Sequence, residues 1–210
     1  MIEPILENDL IYIKSVLKEI FNITDINEVK RMNGMTNRTY KVEYGNNQVL
    51  VFRIPGEGTK DLICRQDERK STELACKLGI DTGLLYFGED GTKIMNYIKN
   101  AKTMSAKELC KENNIKMIAD IFRTLHNCNE NTGIIFDVFD MAEKYEKIIK
   151  QYDIDMSDDY REIKNTIIKI KKIIDSYKKI KLVPCHNDSL CENWIYGENK
   201  LFLIDWEYAG

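Results

Sequence analysis

Near the end of the chain, Cys185-His186-Asn187-Asp188-Ser189-Leu190-Cys191-Glu192-Asn193 is followed by Leu203-Ile204-Asp205-Trp206-Glu207. An Asp, an Asn five positions later and a second Asp beyond a short strand pair are the groups that phosphoryl transfer requires. They supply a carboxylate for the acceptor hydroxyl and oxygen ligands for Mg²⁺. Asp188 is placed to orient or deprotonate the acceptor. Asn193 and Asp205 are the candidate metal ligands, with the Asn193 NH₂ left to steady the loop. His186 is read as bracing the loop backbone, because Asp188 already has the proton to handle. An H-x-D-x-x-x-x-N can arise in any loop by accident. The strand-turn-strand that follows and ends in Asp205 makes the joint order specific.

These groups need elements to hold them. Residues 194–196 and 201–204 read as a hairpin around Gly197-Glu198-Asn199, which delivers Asp205 beside Asn193. Nucleotide contacts should come from the first half of the chain. Asn33-Gly34-Met35-Thr36-Asn37-Arg38 joins two expected strands, so Gly34, Thr36 and Asn37 could fold over phosphates and donate backbone N–H groups. The segment has one glycine and is neither a Walker A loop nor G-x-G-x-x-G; on its own it reads as an ordinary turn. Arg53 lies on the strand 49–54, where a protein kinase carries its phosphate-contacting lysine. Arginine keeps the charge and adds a planar fork. Its expected partner is Glu68 on the next helix, with Asp67 and Glu73 as rivals.

The remaining elements follow from periodicity. Residues 8–20 read as a helix with apolar Leu10, Ile13, Val16, Leu17 and Ile20 and a cap at Asn8 or Asp9. Residues 29–33, 38–44 and 48–54 read as strands, the last two joined by Gly45-Asn46-Asn47. A helix over 62–78 should stop at Gly79, and a second hairpin covers 84–87 and 93–97. Residues 99–102 look like a connector. Helices are expected over 115–126, 138–152 and 160–177. In the last, Ile163, Ile167, Ile170, Ile174 and Tyr177 should form one buried stripe, with the lysines solvated on the opposite face. His126, at the end of a helix, reads as a structural or dipole-facing group. The class is α+β, with a sheet-rich lobe over 1–97 and a helix-rich lobe over 98–210.

Composition limits the alternatives. A chain of 210 residues, 43% hydrophobic and 31% charged, can bury a sizeable core, and a net charge of -3 gives no electrostatic reason to expect nucleic acid or an anionic membrane. Residues 1–4 lack a basic segment leading into an apolar one, and no apolar run approaches the roughly 20 residues that span a bilayer. A cytoplasmic protein without membrane insertion is expected. Six cysteines without a C-x-x-C pair are expected to be reduced and mostly buried.

Gly34-Met35-Thr36-Asn37-Arg38-Thr39-Tyr40, Phe52-Arg53-Ile54-Pro55-Gly56, Cys185-His186-Asn187-Asp188 and Ile204-Asp205-Trp206-Glu207-Tyr208 together resemble the choline/ethanolamine kinases, particularly their bacterial choline kinase branch. The likeness runs from about Val29 to Gly210. It implies a protein-kinase-like two-lobe fold of the aminoglycoside-phosphotransferase-like group. It also implies ATP and Mg²⁺ as cofactors and a small amino alcohol as substrate. By this resemblance Asp188 is the catalytic base, Asn193 and Asp205 hold Mg²⁺, and Arg53 with Glu68 positions ATP. The segment from Met95 through Asn96, Tyr97 and Ile98 becomes the hinge that meets adenine. A quaternary ammonium is held by aromatic faces, which makes Trp206, Glu207 and Tyr208 candidate acceptor contacts. The family continues past the position of Gly210 with a helical segment that supplies much of the acceptor pocket, so the chain is read as shortened there. A kinase for thiamine, a sugar or an aminoglycoside, a non-catalytic nucleotide-binding module and a purely structural protein remain as alternatives.

Overall fold

A computed structural model describes residues 5–32, 34, 36–152, 154–177 and 181–210. Asn33 and Met35 of the expected loop, and residues 1–4, lie outside these.

Helix α1 (Glu7–Phe21) packs on a five-stranded antiparallel sheet of order β1-β2-β3-β5-β4. Its strands are β1 (Ile26–Arg31), β2 (Arg38–Tyr44), β3 (Gln48–Ile54), β4 (Leu84–Phe87) and β5 (Lys93–Asn96), with α2 (Arg65–Lys77) between β3 and β4. The first core forms because Ile13 and Leu17, one helical turn apart, meet the alternating residues Tyr40, Val42, Leu50 and Phe52 of β2 and β3. Full burial of Ile13 and Leu17 stabilises this contact by about 2 kcal/mol each. The β2–β3 turn uses Gly45 and Asn47 at φ 51° and 59°, a region those two residue types tolerate. Gly79, at φ 70° just beyond α2, ends that helix as expected.

A second sheet, of order β6-β7-β8, joins β6 (Lys102–Thr103), β7 (Trp194–Gly197) and β8 (Lys200–Leu203). Its core gathers Met104, Leu125, Trp194, Leu201, Leu203 and Trp206 against Ala75 and Ile80, with Ile118, Ile121 and Phe122 packed alongside. Among the described residues four further α-helices occur: α3 (Ala106–Leu109), α4 (Glu112–His126), α5 (Val138–Gln151) and α6 (Tyr160–Asp175). Among the described residues no helix is long and apolar enough to cross a membrane.

Five expectations need correction. The first helix has Leu6 at its N-cap position with no side-chain cap; Asp9 is instead buried, accepting from Arg38 Nε at 2.7 Å and from the Tyr40 hydroxyl. The first strand is Ile26–Arg31, because its pairing with β2 runs from Ile26↔Tyr44 to Arg31↔Tyr40. The connector over 99–102 contains part of β6, which pairs with β7, and it leads into the unexpected short helix α3. The isoleucines of α6 are not buried: Ile163, Ile167, Ile170 and Ile174 are 40–49% exposed. Two of its lysines meet α5 instead, Lys164 paired to Glu146 and Lys171 to Asp137 at 2.9 Å, while Lys169 and Lys172 are exposed. Periodicity defines a stripe on a helix but does not choose which side meets a neighbour. Finally, the six cysteines are free and none is buried, two being exposed and four half-buried.

Candidate active site

The loop after residue 184 is tied down at its start. The Cys185 N–H donates to the Gly210 carbonyl at 3.0 Å, and the Gly210 N–H returns the bond at 3.1 Å. Asn187 adopts φ 63° and its Nδ2 donates to the Tyr208 carbonyl at 3.0 Å. His186 is 2% exposed. Its Nδ1 accepts from the Asp188 N–H at 3.2 Å, which leaves Nε2–H to donate to the Ile204 carbonyl at 2.9 Å. One imidazole therefore fastens the Asp188 loop to the residue before Asp205.

Burial holds the His186 imidazole below its ordinary value of 6.5 and outweighs the nearby carboxylates. The folded chain keeps the ring neutral where the unfolded chain protonates it. Its contribution to stability is thus complete above about pH 6.5 and is lost as pH falls below that value. We expect the unfolding temperature to drop between pH 7 and 5, and His186→Gln to flatten that part of the profile. A slope unchanged in the variant would assign the loss to carboxylates instead.

Asp188 and Asn193 form one unit. Asn193 Nδ2 donates to the Asp188 backbone carbonyl at 2.7 Å and to Asp188 Oδ2 at 3.1 Å. A 3₁₀ turn over Cys191–Asn193 brings them together, and the Ile204 N–H donates to the Asn193 carbonyl at 3.0 Å. Asp205 follows directly, at φ 69°. A non-glycine residue in this region is uncommon and concentrates at functional sites.

Opposite this unit lies a buried cluster of cations and carboxylates. Arg53, 6% exposed, pairs through Nη2 with Glu68 Oε1 and through Nη1 with Asp205 Oδ1 at 3.1 Å. Its Nε is buried without a hydrogen-bond partner. Arg65 Nη1 donates to Glu68 Oε2 at 2.7 Å and lies 3.8 Å from Glu207 Oε2, while Lys93 Nζ is 3.6 Å from Glu68 Oε1. Burial opposes ionisation of Glu68, yet Arg53, Lys93 and Arg65 outweigh it and hold the carboxyl below its ordinary value. Glu207 moves the other way, pushed up by burial and by Asp205. Carboxylate oxygens of Glu68, Asp205 and Glu207 lie within 4.8 Å of one another. An all-oxygen donor set of this kind suits a hard cation such as Mg²⁺.

The other residues singled out from the sequence fall as follows. Asn37 reaches across to this cluster, its Nδ2 donating to Glu207 Oε2 at 3.4 Å and its Oδ1 accepting from the Gly56 N–H at 3.3 Å. Its loop presses on neighbouring backbone: a Cβ on Gly34 would meet the Asn37 carbonyl oxygen at 2.8 Å, and one on Gly56 would meet that of Thr36 at 2.0 Å. Glu68 takes Arg53, while Glu73 pairs with Arg69 on the surface. Asn96 ends β5 with its N–H donated to the Gly83 carbonyl at 2.9 Å, and the Ile98 carbonyl accepts from Ala101 at 3.2 Å. Tyr97 carries the Lys41 ammonium 5.1 Å from its ring centroid.

Trp206 is a correction. It is 1% exposed, donates Nε1–H to the Leu203 carbonyl at 3.1 Å and packs edge-on to His186, so its ring is core and offers no face to a ligand. Tyr208 instead lies near aromatic partners. Its hydroxyl is 3.4 Å from that of Tyr145 on α5, and its ring meets Phe136 edge to face at 6.3 Å. Reading the sequence missed Arg65, Lys93 and Tyr145. Arg65 could have been found three residues before Glu68, and Lys93 by extending the strand register from Arg53.

An antiparallel sheet carrying a helix-paired cation, set against a loop and hairpin rich in oxygen ligands, defines a protein-kinase-like two-lobe fold. The choline/ethanolamine kinase model matches residues 29–210, and the chain belongs to that family. Protein LicA of Haemophilus influenzae is 29% identical over 179 residues, covering 84% of this chain and 52% of that protein. The crystal structure of choline kinase LicA from Streptococcus pneumoniae superposes with a TM-score of 0.82 at 28% identity, covering 97% of this chain and 70% of that one. A LicA structure in complex with AMP superposes at 0.79, also 28% identical, covering 95% of this chain and 68% of that one. The chain spans about half the length of the curated relative it matches.

Proposed function

We propose that the chain is an ATP-dependent phosphotransferase that moves the γ-phosphate of ATP onto the hydroxyl of choline or a related small amino alcohol. The observation that carries this reading is the hydrogen-bonded pair Asp188 and Asn193, with Asp205 brought next to it by the backbone bond between Ile204 and Asn193 and paired to the buried Arg53. Asp188 orients the acceptor hydroxyl and takes its proton as the oxygen bonds to the γ-phosphorus and the bond to the β,γ-bridging oxygen breaks. The Asn193 amide oxygen and the carboxylates of Asp205 and Glu207 are the groups that would hold Mg²⁺, which when bound neutralises charge on the phosphate oxygens. Arg53, steadied by Glu68 and with its Nε uncommitted, is the cation for the phosphates.

Residues 1–97 serve as the nucleotide lobe, with Gly34, Thr36 and Asn37 over the phosphates and Asn96, Tyr97 and Ile98 beside adenine. The AMP complex of the related LicA supports a nucleotide site in this fold. Residues 98–210 carry the catalytic loop and metal hairpin. Tyr208, with Tyr145 and Phe136 close by, offers aromatic surface for an alkylammonium group, and Glu207 adds negative charge.

ATP consumption with Mg²⁺, screened over choline, ethanolamine, thiamine, a hexose and an aminoglycoside, tests the reading. Turnover with choline or ethanolamine and none with the others is expected. Turnover confined to another acceptor would overturn the substrate class, and Mg²⁺-dependent ATP binding without any transfer would overturn the activity.

A further inference from the structure

Lys93 belongs to the buried cluster but has no part in the scheme above. It stands directly opposite Arg53 in the β3–β5 register, so two cationic side chains leave neighbouring strands on one face of the sheet. Like charges at such a pair destabilise a sheet, and an ammonium only 4% exposed has lost most of its hydration. Buried carboxylates offset this, and one of them lies within ion-pair distance of the ammonium. Lys93 Nζ is 3.6 Å from Glu68 Oε1, the oxygen that also accepts from Arg53 Nη2. The second is Asp81, itself 4% exposed. Its Oδ1 accepts from the N–H and hydroxyl of Thr82, while its Oδ2 is buried without a hydrogen-bond partner. Burial pushes the Asp81 carboxyl up, and Lys93 is the cation that most opposes this, while Asp205 adds to it.

We propose that Lys93 is a positioning residue of the nucleotide site: it matches the charges of Glu68 and Asp81 from the sheet side, which leaves the Arg53 guanidinium facing Asp205 and incoming phosphates. This rests on the functional reading of the same site. Arg53 now divides its fork between Glu68 and Asp205. Without Lys93, Glu68 draws the guanidinium toward itself, and uncompensated negative charge accumulates behind the position a polyphosphate must take. Removing the Asp81 charge should relieve part of that excess.

The test uses Lys93→Met, Lys93→Arg, Asp81→Asn and the Lys93→Met/Asp81→Asn double variant. ATP affinity with Mg²⁺ is measured by calorimetry, and the unfolding temperature is measured without nucleotide. Lys93→Met should weaken ATP binding about tenfold, Lys93→Arg by no more than about threefold, and the double variant should regain most of the loss, a non-additivity of the size seen within one network of charges. Wild-type affinity in Lys93→Met, or losses that simply add in the double variant, would overturn the proposal. A wild-type chain that binds no ATP overturns the functional reading alone. The nucleotide-free unfolding temperatures then decide the inference: recovered stability in the double variant supports charge matching by Lys93, and additive losses overturn it.

Discussion

Asp188→Asn is expected to lower kcat for amino-alcohol phosphorylation by about 10²- to 10⁴-fold, the range contributed by a positioned acid–base group, with ATP affinity changed by less than about twofold. The fold should tolerate the change. Asp188 meets Asn193 through its backbone carbonyl as well as its carboxylate, and an amide oxygen can replace the carboxylate oxygen that now accepts from Asn193 Nδ2. The loop is also held independently by His186 and Asn187. What the variant loses is the negative charge that receives the acceptor proton. Rates from coupled ATP consumption and affinities from calorimetry separate the two effects. An unchanged rate would remove Asp188 from the reaction; a parallel fall in ATP affinity and unfolding temperature would make it a structural residue.

Arg53→Met should destabilise the fold by about 3 kcal/mol, the lower end of the range for removing one partner of a buried ion pair. Glu68 is 1% exposed and would retain only Arg65 and Lys93, and those two cations are why the lower end applies. For a chain of this length the unfolding temperature should fall by about 10 °C. ATP binding should be lost in the same variant. Adding Glu68→Gln should restore none of the ATP binding and should lower stability further, because the amide leaves Arg65 and the buried Lys93 without the carboxylate they share. Scanning calorimetry of the single and double variants checks this. A fall of only about 2 °C would show that Arg65 and Lys93 already satisfy Glu68, so that Arg53 is held chiefly by Asp205.

How much of this was legible beforehand varies by residue. Asp188, Asn193 and Asp205 could be read because a loop, a tight turn and a two-stranded hairpin bring near sequence neighbours together. The hairpin closes through Glu198 and Asn199, both at positive φ as a two-residue hairpin turn requires. Most helices and strands were legible for the same reason, within a few residues at their ends. Asp9 was not. Its position suits a helix cap, but Arg38 and Tyr40, about thirty residues away, outcompete the helix terminus for its carboxylate. Trp206 was open to two readings, since an aromatic residue next to a metal ligand can face substrate or core, and its neighbour His186 draws it inward.

The sequence by itself determined most of the element order, though not β6 or α3, together with the hairpins and the linear spacing of the phosphotransfer groups, all of which depend on backbone preference and short-range periodicity. Tertiary structure alone decided which carboxylate receives Arg53, that Lys93 and Arg65 share it, and that Asn37 reaches Glu207 across 170 positions of chain. It also decided that α6 turns Lys164 and Lys171 to α5 and leaves its isoleucines partly exposed. The physical reason is the same in each case: a side chain's type and period define what it can bond, whereas its partner is set by strand register and packing between segments far apart in the chain.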